Sequence, residues 1–456
     1  MEKMNKFNEL EKKYEVDKIK VNNIQIWPFL RTYIALKFLL NKQQVKLNKS
    51  NILKLLLNFF RGIHYFFSNK FEFLAFSDTD RRILVEDKYY DRLVDFLAQE
   101  KETLIIETPL FSHYPKENTY SEYLASRLPM LFLEHFICLF IKKPRIESED
   151  VLINILNETS ISINYYKIIK KIKAQEILMN FLLKFKKNIK GVFIVVPYTK
   201  AGIIKACKKK SIPVIELQHG IINNLHPAYN IPLKLDRIFL PDYLLTYGDF
   251  EKEIFNENNF FIENNKVIPI GHSIIEYYRK KLEKNSVIQS FKNKYTYIVA
   301  ITGQVAFDSM LIPFIIDTAQ KNDKILYIYI PRGINYFTTK KIIPPQNIIF
   351  LNDNINTYEI ISNCHFHATV TSTCSIEALC MGIQNIFINI NNWSKSYYSH
   401  LESKKYNYFA NTPDEFLNII FSSYEVSKQE IIEEYAHFIK IGYESNFRAF
   451  LHLKFA

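Results

Sequence analysis

The segment with the clearest chemical potential is Gln218-His219-Gly220, which follows the largely apolar run Ile212–Leu217. A β-branched run that stops at a polar triplet closed by glycine is typical of a buried parallel strand leading into a ligand loop. The imidazole of His219 can accept a proton from a hydroxyl near neutral pH, or donate to a phosphate oxygen. The pattern therefore predicts a catalytic or phosphate-facing His219; a histidine that only orders its loop is the alternative.

A second candidate is the hydroxyl-rich segment Thr371-Ser372-Thr373-Cys374-Ser375, which is followed by Ile376-Glu377-Ala378-Leu379. Hydroxyls between a strand and a helix place O–H and N–H donors at a helix N-terminus, where phosphate or carboxylate oxygens can bind. The alternative is an ordinary N-cap, in which Ser372 or Ser375 only starts the helix and binds no ligand.

Acidic residues follow the predicted strand Phe73–Phe76, with Asp78 and Asp80 ahead of Arg81 and Arg82. An aspartate at such a strand end can act as a general base, whereas a solvated turn is the alternative. Glu107, which ends the next strand, is a lesser candidate.

Metal chemistry finds no support in the sequence. His365 and His367 alternate along one predicted strand, but no third ligand lies nearby in the sequence. The sequence also contains no phosphate-binding Walker loop and no serine-hydrolase elbow. We therefore expect no metal and no cofactor.

Alternating strands and helices position these residues in two blocks. The first block runs from residue 71, and its predicted strands and helices are Phe73–Phe76, Tyr90–Glu100 (helix), Thr103–Thr108, helices over 118–188, Val192–Val196, Lys200–Lys209 (helix), a strand ending at Gly220, Arg237–Leu240, Tyr243–Thr246 and Val267–Gly271. Strands separated by helices predict a parallel sheet with right-handed crossovers.

The second block starts near residue 294. Its predicted strands and helices are Tyr297–Ile301, Met310–Lys321 (helix), Ile325–Ile330, Ile348–Leu351, Asn356–Ser362 (helix), Phe366–Val370, Ser375–Met381 (helix) and Gln384–Ile390. Two such blocks predict an α/β protein with two Rossmann-like domains facing across a cleft, the usual place for a ligand. We expect a helical N-terminal extension over 1–70, domains over 71–278 and 293–425, and C-terminal helices over 426–456 that pack back on the first domain.

The N-terminal extension contains two predicted helices, Asn23–Leu40 and Asn51–Phe67. The second helix is very apolar, and the basic residues Lys46, Lys49, Lys54 and Arg61 lie in or beside it. Packing against the domain is one interpretation, and contact with a membrane surface is the other.

The composition and net charge of the chain limit the kinds of protein and partner that fit it. The chain has 456 residues, 48% hydrophobic and 23% charged, which is globular and long enough for two domains. A net charge of +12 suits an anionic small substrate or an anionic membrane surface. Nucleic acid is the weakest of the possible partners, because the lysines are scattered and no binding motif is present. Five cysteines without a CxxC and a polar first segment favour a cytoplasmic protein.

Several motifs together resemble glycosyltransferases of the GT-B fold, in particular bacterial enzymes of capsule and lipooligosaccharide biosynthesis. The likeness covers about residues 190–420. The motifs that carry it are Gln218-His219-Gly220, Leu240-Pro241-Asp242, Ile268-Pro269-Ile270-Gly271-His272, the Asn356–Ile361 helix and the Thr371–Leu379 segment.

The resemblance implies transfer of a sugar from a nucleotide-sugar donor to a growing glycan or glycolipid, without a metal and with inversion. It places the donor on the C-terminal domain and the acceptor on the N-terminal domain. The residues that it assigns to the donor are Gln218, Gly220, Thr302, Gly303, Gln304, Arg332, Ser372, Thr373, Ser375 and Glu377. The catalytic candidates are His219, Asp78 and Asp80, and a lipid-linked acceptor would bring the chain to the inner membrane surface.

The sequence does not determine which nucleotide sugar is the donor. His226-Pro227 is similar to the His-Pro pair that some sialyl- and Kdo-transferases direct at cytidine monophosphate. In those enzymes the pair lies in the C-terminal domain, where this chain has Pro331-Arg332. Alternatives are a polyol-phosphate transferase of the CDP-glycerol or CDP-ribitol type, an epimerase of similar fold, and a catalytically silent GT-B scaffold.

Overall fold

The computed structural model describes residues 2–39, 58–110, 112–220, 222–223, 226–281, 284–332, 336–351, 355–423 and 426–455. The chain forms two compact units: unit 1 comprises Met1–Ile270 and Glu444–Ala456, and unit 2 comprises Gly271–Tyr443. The division thus falls at residue 270, where the sequence suggested 278. Of the C-terminal helices, only the segment from Glu444 onward belongs to unit 1.

Unit 1 is built around a parallel sheet of seven strands. Unit 1 as a whole has eleven strands in its described residues: β1 (Lys20–Val21), β2 (Ile24–Gln25), β3 (Phe73–Asp78), β4 (Arg82–Val85), β5 (Lys88–Asp91), β6 (Thr103–Thr108), β7 (Leu124–Ser126), β8 (Gly191–Ile194), β9 (Val214–Leu217), β10 (Tyr243–Thr246) and β11 (Val267–Pro269). β1 pairs with β2 and β4 pairs with β5 in two small antiparallel sheets. The strand order of the large sheet is β11-β10-β9-β8-β3-β6-β7. The first strand of this sheet in the chain, β3, therefore lies inside it, and the later strands extend to both sides.

Helices cover both faces of this sheet, as parallel sheets require. They are α1 (Glu2–Lys13), α2 (Trp27–Leu39), α3 (Asp95–Glu100), α4 (Leu128–Phe140), α5 (Glu149–Glu158), α6 (Tyr165–Phe185), α7 (Ala201–Lys208) and α8 (Phe250–Ile254). The four residues Phe73–Phe76 of β3 are fully buried, which explains their uninterrupted apolar sequence.

Unit 2 repeats the pattern with six parallel strands. They are β12 (Tyr297–Thr302), β13 (Ile325–Ile330), β14 (Ile348–Ile349), β15 (Phe366–Thr369), β16 (Gln384–Ile388) and β17 (Asn407–Ala410), in the order β14-β13-β12-β15-β16-β17. The helices are α9 (Ser273–Lys280), α10 (Ser286–Phe291), α11 (Asp308–Lys321), α12 (Tyr336–Lys340), α13 (Thr357–Asn363), α14 (Cys374–Cys380), α15 (Trp393–Tyr397), α16 (Pro413–Ser422) and α17 (Lys428–Glu434). The last helix, α18 (Tyr443–Phe455), returns to unit 1, where Phe455 contacts Phe73 at 5.0 Å between ring centroids.

Numbered along the chain, the strands of unit 2 follow the order 3-2-1-4-5-6, which is the Rossmann order, and those of unit 1 extend it by one strand. The predicted fold class, two Rossmann-like α/β domains with helices at both ends, is thus confirmed. Among the helices of the described ranges, none combines the length and apolarity that a bilayer crossing needs.

Two local predictions were wrong, and several short strands were missed, among them β7 and β17. The helix expected from Tyr90 begins only at Asp95, because Lys88–Asp91 pairs with Arg82–Val85 in a hairpin whose turn holds Glu86 at a φ of 54°. Arg237–Phe239 is a 3-10 turn rather than a strand, and Asp236 caps it by accepting from the Ile238 N–H. Strands β7 and β17 were missed because each is short, three or four residues long.

The N-terminal helices are part of the core of unit 1. Trp27, Leu30 and Ile34 of α2 are fully buried and join one cluster with Leu244 of β10. The predicted helix Asn23–Leu40 is observed as Trp27–Leu39. The first part of the other predicted helix, 51–57, lies outside the described residues, as do Lys46, Lys49 and Lys54. Its end, Ile63–Phe67, is a 3-10 helix.

A buried ion pair fixes these helices to each other. Arg31 of α2 donates from Nε and Nη2 to the two carboxylate oxygens of Glu11 in α1, at 2.7 and 2.8 Å, and both side chains are fully buried. The Trp27 indole N–H donates to the same carboxylate at 2.7 Å. Arg31 also donates to the Pro227 carbonyl, so this pair connects the N-terminal helices to the loop that follows β9.

Removing one partner of this pair should destabilise unit 1 strongly. We expect Glu11→Ala to lower the free energy of unfolding by about 3–5 kcal/mol, because Arg31 would remain buried and uncompensated. The double variant Glu11→Met/Arg31→Met should lose less than Glu11→Ala alone. Urea unfolding of the three proteins measures this, and a loss below about 1 kcal/mol for Glu11→Ala would contradict the assignment.

Candidate functional site

In unit 2, the chain order reverses between the neighbouring strands β12 and β15. Open α/β sheets bind ligands at the carboxyl ends of their strands, where such a reversal leaves a crevice. The loops at this point carry Thr302, Gly303 and Gln304 after β12 and Thr371–Ser375 after β15. The structure therefore brings together two segments that are about seventy residues apart in the sequence.

Gln304 connects the two loops directly. Its side-chain oxygen accepts from the Thr371 N–H at 2.8 Å and from the Thr371 hydroxyl at 3.1 Å. Its own backbone N–H donates to Asp308 at 2.8 Å. The side-chain amide nitrogen donates to no other residue in the described parts of the chain, so it can donate to a ligand.

The hydroxyl of Thr302 is held by a buried histidine. His367 Nδ1 lies 2.8 Å from the Asn385 side-chain oxygen, and His367 Nε2 lies 3.0 Å from Thr302 Oγ1. An amide oxygen can only accept, so Nδ1 carries the proton and Nε2 accepts from the Thr302 hydroxyl. Burial lowers the pKa of His367 to about 4, which keeps this ring neutral. Because its proton is used for His367, the Thr302 hydroxyl can accept a hydrogen bond from a ligand but cannot donate one.

Gly303 is required by the tight packing of this loop. A Cβ atom at this position would lie 2.3 Å from the Tyr329 hydroxyl and 3.0 Å from an Asp308 carboxylate oxygen. The loop can therefore pass beside β13 only without a side chain.

The serines of the hydroxyl-rich segment Thr371–Ser375, before and at the start of α14, make hydrogen bonds within the protein. Ser372 Oγ accepts from the Cys374 N–H at 3.3 Å, and the fully buried Ser375 donates to the Ser372 carbonyl at 2.8 Å. Glu377 is buried and accepts from the Tyr358 hydroxyl at 3.3 Å. Thr371, Thr373 and Cys374 are half-buried, whereas Ser372 and Ser375 are buried. The donor-binding roles predicted for these residues stay predictions.

Arg332 lies at the same edge of the sheet. It follows β13, the neighbour of β12, and its side chain is exposed. A guanidinium here can bind two phosphate oxygens at once. Gly333, the next residue of this loop, lies outside the described residues.

In unit 1, the corresponding reversal lies between β3 and β8. Asp78 ends β3 and is half-buried, while Asp80 is about half exposed and lies 3.4 Å from Arg81. The neighbouring Arg82 is fully buried between Glu107 and Asp95, so Arg82 and Glu107 belong to a structural network.

His219 lies after β9, the strand next to β8. Its ring is partly exposed, but its Nδ1 atom is buried and meets no hydrogen-bond partner among the described residues. Burial, reinforced by the positive charges of Arg81 and Lys200, lowers the pKa of His219 to about 3. The imidazole is thus neutral across the physiological range. Burial also lowers the pKa of His226, on the same loop, to about 4.

Two buried ionisable groups that the sequence did not suggest lie in the same part of unit 1, and one of them, Lys200, acts on the pKa of His219. Lys200 is almost fully buried and donates to the Val195 carbonyl at 2.6 Å, and burial lowers the pKa of Lys200 to about 7. Glu216 is fully buried, and burial raises the pKa of its carboxyl to about 8 despite a hydrogen bond from Tyr229. Pro197-Tyr198-Thr199-Lys200, a polar stretch directly after a buried strand, was the signal that could have revealed Lys200.

The backbone is strained at the same edge. Val196, which follows β8, has a φ of 58°, in the left-handed region. A β-branched residue avoids this region, and such strain costs on the order of 1–3 kcal/mol. Strain at a strand end beside the reversal point is a feature of functional sites.

The donor contacts predicted for Gln218 and Gly220 stay predictions. The Gln218 amide donates to Glu251 at 2.7 Å and to the Gly220 carbonyl at 2.9 Å, and its oxygen accepts from the Tyr247 N–H at 2.6 Å. Gln218 is 2% exposed. Its amide therefore joins the loops after β9 and β10, and a ligand would have to displace one of these bonds. A Cβ atom at Gly220 would meet no atom within 4 Å apart from those of its chain neighbours in the part of the protein that the structure describes.

Metal ligation remains unsupported in the parts that the structure describes. No group of three or more His, Cys, Asp or Glu side chains there could hold a metal ion. His365 accepts from the Ile298 N–H at 2.9 Å, and His367 serves Thr302 and Asn385 as described above.

No family model and no curated protein matches the sequence. Solved structures with a similar fold include a UDP-GlcNAc 2-epimerase from Methanocaldococcus jannaschii, in complex with UDP-GlcNAc and UDP, at 13% identity and a TM-score of 0.49. Others are the UDP-GlcNAc 2-epimerase of Neisseria meningitidis (12%, 0.46) and the glycotransferase of kitacinnamycin (8%, 0.48). Each match covers 84% of this chain and 99% of the other.

The buried His367 should make unit 2 sensitive to acid. In the unfolded chain, histidine titrates near its usual pKa of about 6.5, whereas the folded ring stays neutral until about pH 4. The unfolded state therefore binds more protons between these values, and stability falls as the pH decreases from 6.5 to 4. For His367 this amounts to about 2 kcal/mol at pH 5. Denaturant unfolding measures the loss in the free energy of unfolding between pH 7.5 and pH 5. This loss should be smaller for His367→Gln than for the wild type, and it should equal that of the wild type for the exposed control His437→Gln.

Proposed function

We propose that the chain is a glycosyltransferase that moves a sugar from a nucleotide-sugar donor to a hydroxyl of a growing bacterial surface glycan. The donor nucleotide binds the loops after β12 and β15 of unit 2. His219 of unit 1 accepts the proton of the acceptor hydroxyl. The observation that carries the proposal is the neutral imidazole of His219, whose buried Nδ1 has no partner in the described chain, at a sheet edge rich in positive charge.

The chemistry that follows is a direct displacement. The acceptor oxygen attacks the anomeric carbon of the donor sugar while its proton moves to His219. The bond from the anomeric carbon to the phosphate oxygen breaks, and the nucleotide leaves with the bonding electron pair. Attack from the opposite face inverts the anomeric configuration. The exposed Arg332 and the amide N–H groups of Gln304 offer donors for the charge that develops on the phosphate.

The low pKa of His219 has a consequence for this role. A base with a pKa near 3 attracts a proton weakly, and its pKa is depressed by burial together with nearby cations such as Arg81 and Lys200. An anionic substrate beside these cations would offset their charge and raise the pKa of His219. The base would then become stronger only when substrate is bound.

A nucleotide panel tests the donor site. We expect one of CMP, CDP, UDP and GDP to raise the melting temperature, because a ligand at a hundred times its Kd stabilises the folded state by about 2.7 kcal/mol. Gln304→Ala should reduce this shift, whereas the exposed control Gln429→Ala in the same unit should leave it unchanged. A shift with CMP favours a CMP-sugar, and one with CDP alone favours a polyol-phosphate transferase. No shift at millimolar concentration would favour a silent scaffold instead.

The role of His219 as the base is tested by steady-state kinetics. The assay measures nucleotide release from the sugar donor whose nucleotide the melting experiments identify. We expect His219→Gln to lower kcat by about 10²–10⁴-fold, because glutamine preserves hydrogen bonding but cannot accept the proton. His226→Gln, on the same loop, should retain most of the activity. Equal losses in both variants would assign His219 to loop order rather than to proton transfer.

A further inference from the structure

The outward side of α4 is apolar, the reverse of what a surface helix of a water-soluble domain presents. Phe132, Phe136, Leu139 and Phe140 follow the i, i+4, i+7, i+8 spacing of one helix face, and they are 60%, 51%, 67% and 71% exposed. The only acidic residue of α4, Glu134, is 2% exposed. Most of the exposed surface of this helix is therefore aromatic and aliphatic.

The apolar surface continues onto neighbouring segments of unit 1. Phe132 lies 6.0 Å from Phe59 between ring centroids, and Phe67 lies 5.8 Å from Phe185 of α6. The exposed apolar side chains of this surface, which we call the aromatic face, are Phe60, Phe67, Phe132, Leu133, Phe136, Leu139, Phe140, Ile177, Phe181 and Phe185. At about 200 Å² for a whole phenylalanine, they expose on the order of 1000 Å². The largest apolar patch of a typical monomer is about 300–600 Å².

On the two helices of the aromatic face, α4 and α6, the exposed charged side chains have one sign. Helix α6 contains five lysines, and its only acid, Glu176, is 2% exposed. Exposed Lys142 and Lys143 follow directly after α4. Neither α4 nor α6, both of which are described throughout, exposes an acidic side chain. A surface that is apolar in its centre and basic at its border is complementary to an anionic bilayer.

A groove between the two helices combines both properties. It has a volume of about 690 Å³ and runs between the C-terminal half of α4 and the N-terminal half of α6. Leu131, Cys138 and Leu139 contribute apolar surface to it. Its lysines are Lys143, Lys167, Lys170 and Lys171. Such a groove suits the phosphate of a lipid headgroup with part of the acyl chain below it.

We infer that the aromatic face of unit 1 docks on an anionic phospholipid bilayer. The phenylalanines of α4 and α6 insert at the boundary between headgroups and acyl chains, and the lysines around the groove contact lipid phosphates. This surface lies outside the residues assigned to the sugar-transfer reaction, so the inference stands independently of the proposed function. It includes Phe60 and Phe67 from the segment 51–67 for which the sequence suggested a membrane contact, but most of its side chains belong to α4 and α6.

Vesicle co-sedimentation of the full chain tests the inference. The protein should bind vesicles of phosphatidylglycerol and phosphatidylcholine more tightly than vesicles of phosphatidylcholine alone. Phe136→Ser/Phe140→Ser should weaken binding more than tenfold, because these two side chains contact each other at the exposed end of α4. The matched control is Val305→Ser/Ile343→Ser in unit 2, whose side chains are 71% and 91% exposed and which should bind as the wild type does.

A charge variant separates the electrostatic contribution. Lys167→Gln/Lys170→Gln should weaken binding to the anionic vesicles about fivefold per lysine, with little change on phosphatidylcholine. The control Lys324→Gln/Lys404→Gln changes two lysines of unit 2 and should have no effect. Equal binding of the Phe136/Phe140 variant and the wild type would overturn the inference.

Two other outcomes would also overturn it. If the wild type ignores vesicles but forms dimers that the Phe136/Phe140 variant disperses, the aromatic face is a protein interface. If that variant melts several degrees lower and the wild type does not bind vesicles, the face packs inside the protein. Sedimentation velocity and thermal unfolding distinguish these cases.

Discussion

The constraint on which both candidate sites depend is that parallel strands end at a common edge. Neighbouring parallel strands run in one direction, so the loops that follow them emerge side by side, however far apart they lie in the sequence. In unit 2 this places Gln304 beside Thr371, and the hydrogen bonds between them fix the distance between two loops. In unit 1 it places the loops after β3, β8 and β9 next to one another.

The same constraint explains which parts could be predicted. The alternation of strands and helices gave both sheets, and polar residues directly after apolar runs pointed to Thr302–Gln304, Thr371–Ser375 and His219. The roles of individual side chains depend on partners that local patterns do not contain. Gln218 looks like a ligand contact in its own segment, yet the Glu251 and Tyr247 that engage it lie about thirty residues later.

Two other features escaped sequence reasoning for a similar reason. The N-terminal helices looked like an extension, whereas Arg31 binds both Glu11 and the Pro227 carbonyl, almost 200 residues away. The apolar pattern of α4 has the periodicity of any packed helix, and only the structure reveals which side faces the sheet. Periodicity identifies the apolar face of a helix but not what covers it.

Several departures from local rules lie at one edge of unit 1. There Val196 adopts a left-handed backbone, Lys200 is buried among other cations, and atoms of Glu216 and His219 meet no partner among the described residues. At the corresponding edge of unit 2, by contrast, the side chains of Thr302, Ser372 and Ser375 make hydrogen bonds within the protein. Natural sequences retain strain and uncompensated burial mainly where a ligand or a reaction requires them. The features of unit 1 support the proposed role of His219, whereas the proposed donor site of unit 2 is argued from the side-chain amide nitrogen of Gln304 and from the exposed Arg332.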